Sequence, residues 1–100
     1  MDVDIHREGE TVRMLLNGRF DFSSHNTFIQ GVDPLLSDAS VNKLEVDFAE
    51  VTYIDSSALG MLLLKERANG TSRSLTLVNC KGAVAQVLEL AKFGQLFTIR

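Results

Sequence analysis

The longest uninterrupted apolar or glycine run of the chain is Ala58-Leu59-Gly60-Met61-Leu62-Leu63-Leu64, set directly behind Asp55-Ser56-Ser57 and ahead of Lys65-Glu66-Arg67. It is far shorter than the roughly 20 apolar residues of a membrane-spanning helix, so no membrane insertion is expected. It suits a buried helix instead. Polar residues able to cap a first turn precede it, cations occupy its last turn, and Asn69-Gly70 supplies a stop. Met61 and Leu62 to Leu64 are accordingly read as core. A helix this apolar must be covered, and in a chain of 100 residues the cover is one sheet within a single domain, residues 1–100.

The remaining pattern describes that sheet. Val3 and Ile5 alternate with Asp4 and His6, Glu8-Gly9-Glu10 turns the chain, and Val12, Met14 and Leu16 resume a period of two, a β-hairpin. Phe20 and Phe22 continue the alternation, so Gly18 is read as a bulge or bend inside the strand. Ser23 and Ser24 are candidate caps for a helix carrying Phe28, Val32, Leu35 and Leu36. Pro34 predicts a kink there, or a stop near Val32, because proline cannot bond the Gln30 carbonyl. Leu44, Val46 and Phe48 alternate with Lys43, Glu45 and Asp47, a strand with one partly wet face, so thick cover on both sides of the sheet is not expected. Ala49 to Ile54 is read as a bridge to the apolar helix. Leu75 to Val78 forms a strand, Val84, Val87, Leu88 and Ala91 a helical stripe closed by Gly94, and Phe97 to Ile99 a final edge strand. The order β-β-α-β-α-β-α-β predicts an α/β fold of the mixed α+β kind, with about four to five strands in a mixed sheet packed by about three helices.

Charge and cysteine content narrow the function. Ten Lys and Arg against thirteen Asp and Glu give a net charge of −3, without the positive field that binding to nucleic-acid phosphates requires. Direct nucleic-acid binding is not expected. Cys80 stands alone, so it cannot form an internal disulfide, and it is read as a small, partly buried, unreactive residue. Together with an N-terminus that lacks the basic and apolar regions of a signal peptide, this points to a cytoplasmic location. His6, on a strand's wet face, and His25, in a first helical turn, have no carboxylate or thiol at metal-ligand spacing, so no metal and no cofactor are expected. Arg7, Arg13 and Arg19 recur every six residues and are expected on one solvated strand face if no bulge intervenes. Phe93, Leu96 and Phe97 are read as a core cluster.

The segment Val51 to Gly60 departs from plain core patterning. Asp55, Ser56 and Ser57 are all suited to capping a helix, yet three consecutive polar residues exceed what one cap requires. The acid of a reciprocal capping box is missing, since Ala58, Leu59 and Gly60 stand three residues after them. A helix start also tolerates a phosphate, whose charge the free amide groups and the helix dipole stabilise. A nucleophile elbow is excluded, because Ile54-Asp55-Ser56-Ser57-Ala58 is not Gly-x-Ser-x-Gly, and an enzyme is not expected.

Tyr53-Ile54-Asp55-Ser56-Ser57-Ala58-Leu59-Gly60-Met61-Leu62-Leu63, following the strand Leu44 to Phe48, resembles the signature of STAS domains, the bacterial anti-sigma factor antagonists. Gly18-Arg19-Phe20-Asp21 resembles that family's second landmark, a Gly-x-apolar-Asp element before the first helix. Ala58 departs from the glycine of many members, and Pro34 interrupts the first helix. The wording is similar to the subgroup tied to secretion, biofilm and motility control in Gram-negative bacteria. The resemblance implies a partner-switching protein; a monomer is favoured, although the sequence does not fix the oligomeric state. Ser56 would be phosphorylated by a serine kinase, and a metal-dependent phosphatase of the PP2C kind would remove the phosphate. The unmodified form would bind an anti-sigma factor, or a kinase acting as one, and so free a sigma factor for transcription. Asp21, Asp55 and Ser57 would be neighbours of Ser56 at the partner interface. The alternative is a STAS scaffold that is not switched, such as an accessory subunit of a lipid transporter or a signalling complex, over which the retained Asp55-Ser56-Ser57 favours the switch.

Overall fold

The computed structural model describes residues 1–70 and 73–100 and contains one five-stranded sheet in the spatial order β1-β2-β3-β4-β5. The strands are β1 (Asp2–Glu8), β2 (Thr11–Phe20), β3 (Lys43–Ile54), β4 (Ser74–Val78) and β5 (Thr98–Ile99). The helices α1 (His25–Leu36), α2 (Ser56–Asn69) and α3 (Gly82–Leu90) connect the last four strands. β1 and β2 pair antiparallel and every later pair is parallel, so the sheet is mixed as the element order predicts. Each crossover steps one strand in the same direction. Right-handed crossovers of that kind lay successive helices on one face, and burial follows: Val12, Met14, Leu16, Leu44, Val46 and Phe48 are buried, whereas Arg13, Asn17 and Arg19 on the opposite face of β2 are exposed.

The open face is polar but not bare. Asp47 is buried there, accepting from the Ala49 amide at 2.8 Å and from the Asn79 side chain at 3.0 Å on each carboxylate oxygen. Arg13 and Arg100 both hold Glu45. The three arginines do not share a face as their spacing suggested. The hairpin pairs Glu8 with Thr11, which sets Arg7 opposite Val12 on the helix side and Arg13 opposite His6 on the open side. An even spacing preserves a face only within one strand, and here the Gly9-Glu10 loop intervenes. Arg7 instead holds Asp38 and Ser40, in the loop after α1.

β3 is longer than its alternation showed, and residues 49–54 are strand rather than a bridge. Leu15 pairs with Asp47 and Asn17 with Glu50, then Gly18 with Val51 and Arg19 with Tyr53, so β3 carries one extra residue at each of two bulges. Each bulge advances the inward phase from two residues to three, from Phe48 to Val51 and from Val51 to Ile54. β2 itself runs through Gly18, whose φ of +103° suits glycine, to Phe20.

The helix ends also differ in detail from expectation. α1 continues through Pro34 to Leu36 instead of stopping near Val32. Its start is fixed by neither Ser23 nor Ser24 alone. Asp21 caps a 3-10 turn, Phe22–Ser24, that leads into the helix, and the Ser24 hydroxyl points back to the Arg19 carbonyl at 2.7 Å. α3 ends at Leu90, and the left-handed residue that follows is Lys92 rather than Gly94. Phe93 and Phe97 stack in the core at 5.4 Å, but Leu96 is exposed. α2 ends at Asn69, before Gly70 in a positive-φ conformation, as read. It is not buried all round: Ala58, Met61 and Leu62 face the core, Leu59 and Leu63 are half-buried, and Leu64 is 63% exposed. None of the described helices is long and apolar enough to cross a membrane.

Candidate functional site

Parallel strands end together, and loops at their carboxyl ends are where open α/β sheets place ligand and partner sites. Phe20 pairs with Ile54 at the last rung of β2 and β3, and the Asp55 amide donates to the Phe20 carbonyl at 3.3 Å. That rung brings the two sequence landmarks, Asp21 and Asp55, to adjacent positions at one end of the sheet.

Asp55 is the N-cap of α2. Its backbone is extended, and its Oδ1 accepts from the Ala58 amide at 3.1 Å. Ser56 is therefore the first helical residue and is exposed, while Ser57 is half-buried. The cap satisfies one of the helix's free amides and leaves the Ser56 hydroxyl uncommitted to it. Asp21 is turned toward its own loop. Its Oδ1 accepts from the Ser23 amide at 3.1 Å and from the Ser23 hydroxyl at 2.6 Å, and its Oδ2 meets Arg19 Nε at 3.4 Å. The Ser23 hydroxyl is the largest influence on this carboxyl and, with Arg19 and the Ser23 amide, holds it below its ordinary 3.8 against partial desolvation. The backbone thus brings Asp21, Asp55, Ser56 and Ser57 to one end of the molecule, but the carboxylates of Asp21 and Asp55 bond within their own turns and not to Ser56.

Two further residues belong to this end. The Arg19 guanidinium lies 4.0 Å from the centre of the half-exposed Tyr53 ring, its partner across the β2–β3 pair. Reading that neighbourhood from sequence requires the second bulge, because without it Arg19 is opposite Thr52. Alongside α2, a groove of about 520 Å³ is lined by Phe22, His25, Ser57, Gly60, Met61, Leu63, Leu64 and Arg67.

Cys80 and the histidines lie outside this constellation. Burial, with the Asp47 carboxylate adding to it, pushes the Cys80 thiol up to about 11, so little of it is the reactive thiolate at neutral pH. His6 is exposed on β1 and His25 opens α1. Among the described residues no group of three or more His, Cys, Asp or Glu side chains gathers as a metal site would require.

A family model described as "Mlab, STAS domain" matches residues 3–98. A STAS-domain containing protein of Pseudomonas aeruginosa (strain UCBPP-PA14) is 37% identical over 93 residues, covering 92% of this chain and 90% of that protein. Among solved structures, an anti-sigma factor antagonist from Mycobacterium paratuberculosis superposes with a TM-score of 0.89 at 15% identity, covering 97% of this chain and 82% of that one. The antagonist SpoIIAA in its unphosphorylated form gives a TM-score of 0.74 at 18% identity, covering 98% of this chain and 86% of that one. The structural likenesses establish the fold, and the match across residues 3–98 establishes the family: the chain belongs to the STAS-domain family.

Proposed function

We propose that this chain is a phosphorylation-switched anti-sigma factor antagonist. Unmodified, it sequesters an anti-sigma factor or a switch kinase and so releases a sigma factor for transcription; phosphorylated on Ser56, it lets that partner go. The observation that carries the reading is the exposed Ser56 hydroxyl at the first position of α2, beside a cap that Asp55 already supplies. A kinase can reach it without unfolding the helix. SpoIIAA, which shares this fold, has been solved in both phosphorylated and unphosphorylated forms.

The physical effect is concentrated charge. A phosphate adds about −1.5 to −2 units, taking the chain from −3 to about −5, at the end of the sheet that already carries Asp21 and Asp55. The helix dipole offsets this within the fold. Across an interface nothing offsets it unless the partner supplies cations, and like-charge contact costing about 2.8 kcal/mol corresponds to about 100-fold in affinity. A PP2C-type phosphatase resets the switch, and the protein acts as a cytoplasmic monomer without catalysis of its own.

The test is the intact mass of the protein from its own cells, with partner binding by the wild type, Ser56→Ala and Ser56→Asp. A species heavier by one phosphate that disappears in Ser56→Ala, and weaker binding by Ser56→Asp, are expected. Absence of any phosphorylated form across growth states, with equal binding by all three proteins, overturns the reading.

A second reading draws on the name Mlab in the matching family description. In it the same surface is a constitutive docking face of a STAS scaffold or accessory subunit, such as that of a lipid transporter. It predicts no phosphorylated form and a stable complex that survives Ser56→Ala.

A further inference from the structure

α2 is more apolar than its burial requires. Its inward face is Ala58, Met61 and Leu62, yet a second stripe, Ser57, Gly60, Met61, Leu64 and Arg67, follows the i, i+3, i+4, i+7, i+10 spacing and lines the groove against Phe22. Ten residues of helix extend about 15 Å. Phe22 is 79% exposed and Leu64 63% exposed, and both line this groove. Large exposed apolar side chains that share one groove mark an interaction surface more often than isolated ones do.

We infer that this groove receives an amphipathic helix of a partner protein, with apolar residues facing Leu64 and Phe22 and an acidic residue meeting Arg67. The stripe's length of about 15 Å along one face of α2 favours a helix as occupant. Gly60 lies open in this groove, where an added Cβ would meet nothing within 4 Å, so a second helix can approach the α2 backbone closely. The charge determines the partner's sign. No carboxylate lines the groove, and Arg67 makes no ion pair among the described residues, whereas Lys65, on the adjacent flank of α2, is already held by Asp33 at 2.8 Å. An acid on the partner therefore finds a cation that has no ion pair among the described residues, in a groove whose other polar lining is Ser57 and His25. Ser57 lines the same groove one residue from Ser56, which places the docked helix beside the proposed phosphate.

This surface adjoins the proposed phosphate but is tested on the unmodified protein, without the switch. A failed selection leaves the Ser56 experiment standing, and the reverse also holds. The test is a displayed library of helices about 14 residues long, with leucine fixed along one face and the flanking positions randomised, selected against the full-length protein. Enriched sequences are expected to carry Asp or Glu at the end facing Arg67 and to bind Leu64→Ser and Phe22→Ser about tenfold or more weakly. Arg67→Glu should invert the preference toward Lys-ended helices. All three substitutions lie at exposed positions, and an unchanged melting curve confirms that each variant is folded. No enrichment over the Leu64→Ser protein, or enrichment indifferent to Arg67→Glu, overturns the inference. Flotation with phosphatidylglycerol vesicles that Leu64→Ser abolishes, without helix enrichment, assigns the groove to lipid, and self-association abolished by Leu64→Ser assigns it to a second copy; either also overturns it.

Discussion

A single carboxylate organises each of the two turns that meet at the candidate site, and the two do different work. Asp55 holds the first turn of α2 through the Ala58 amide, so Asp55→Ala should lower stability by about 1 kcal/mol, with Asp55→Asn retaining most of it. Ser56 is exposed and outside that bond, so Ser56→Asp should change stability by less than about 0.5 kcal/mol. Urea unfolding measures both, and comparable losses in the two variants would contradict the assignment of the cap to Asp55. Asp38 offers a residue-scale pH prediction. The Ser40 hydroxyl, followed by the Ser40 amide and Arg7, holds its carboxyl down from 3.8 to about 2. A carboxylate depressed by folding contributes stability that is fully present above its unfolded value and is lost as pH falls through its folded one. The Arg7–Asp38 clasp should therefore persist from neutral pH down through 3.8 and open near 2. Carboxyl NMR titration of Asp38 with a midpoint near the ordinary value would refute this.

At the scale of elements, α1 is the helix that contradicts its own sequence. It runs His25–Leu36 with Pro34 inside its last turns, where proline leaves the Gln30 carbonyl without a helical donor. The helix persists because Phe28 and Val32 are buried on the sheet, and because the Ser37 amide closes the end onto Asp33 and Leu35. Tertiary packing outweighs local propensity here. Pro34→Ala should restore one bond and raise stability by about 1–2 kcal/mol after the unfolded chain's regained freedom is counted. Unchanged or lower stability by urea unfolding would show that the proline is accommodated without cost. The two bulges of β3 belong to the same scale. They turn the end of the strand so that Tyr53 meets Arg19 and Ile54 meets Phe20, and so aim Asp55 and Ser56 at the sheet's end.

In the whole molecule, the far end of the sheet from the candidate site is tied by Arg73. Its guanidinium donates to the carbonyls of Leu36 at 2.9 Å, Val41 at 2.9 Å and Asp38 at 3.3 Å, and to Asn69 Oδ1 at 3.2 Å. It joins the end of α1, the loop before β3 and the end of α2. Arg73→Met should cost about 3 kcal/mol or more, because it leaves the buried Asn69 and several carbonyls without their donor, and Arg73→Lys should recover only part of that loss. A loss below about 1 kcal/mol on urea unfolding would mean that solvent replaces the clamp. The sequence by itself determined the order of elements, the buried stripes of β2 and β3, Val84 and Leu88 of α3, and the helix starting at Asp55-Ser56-Ser57, because these rest on local periodicity and local capping chemistry; the two landmarks came from the family resemblance, and Ala91, read into the α3 stripe, lies exposed beyond the helix. Only the tertiary structure decided the length of β3, the face of each arginine, the clamp at Arg73 and the exposed second stripe of α2. Bulges shift the phase on which alternation depends, and a turn resets it. The cover of a helix depends on how many neighbours the sheet provides. Leu62 and Leu64 are identical residues two apart in one apolar run, and only the placement of the sheet beneath α2 makes one core and leaves the other exposed.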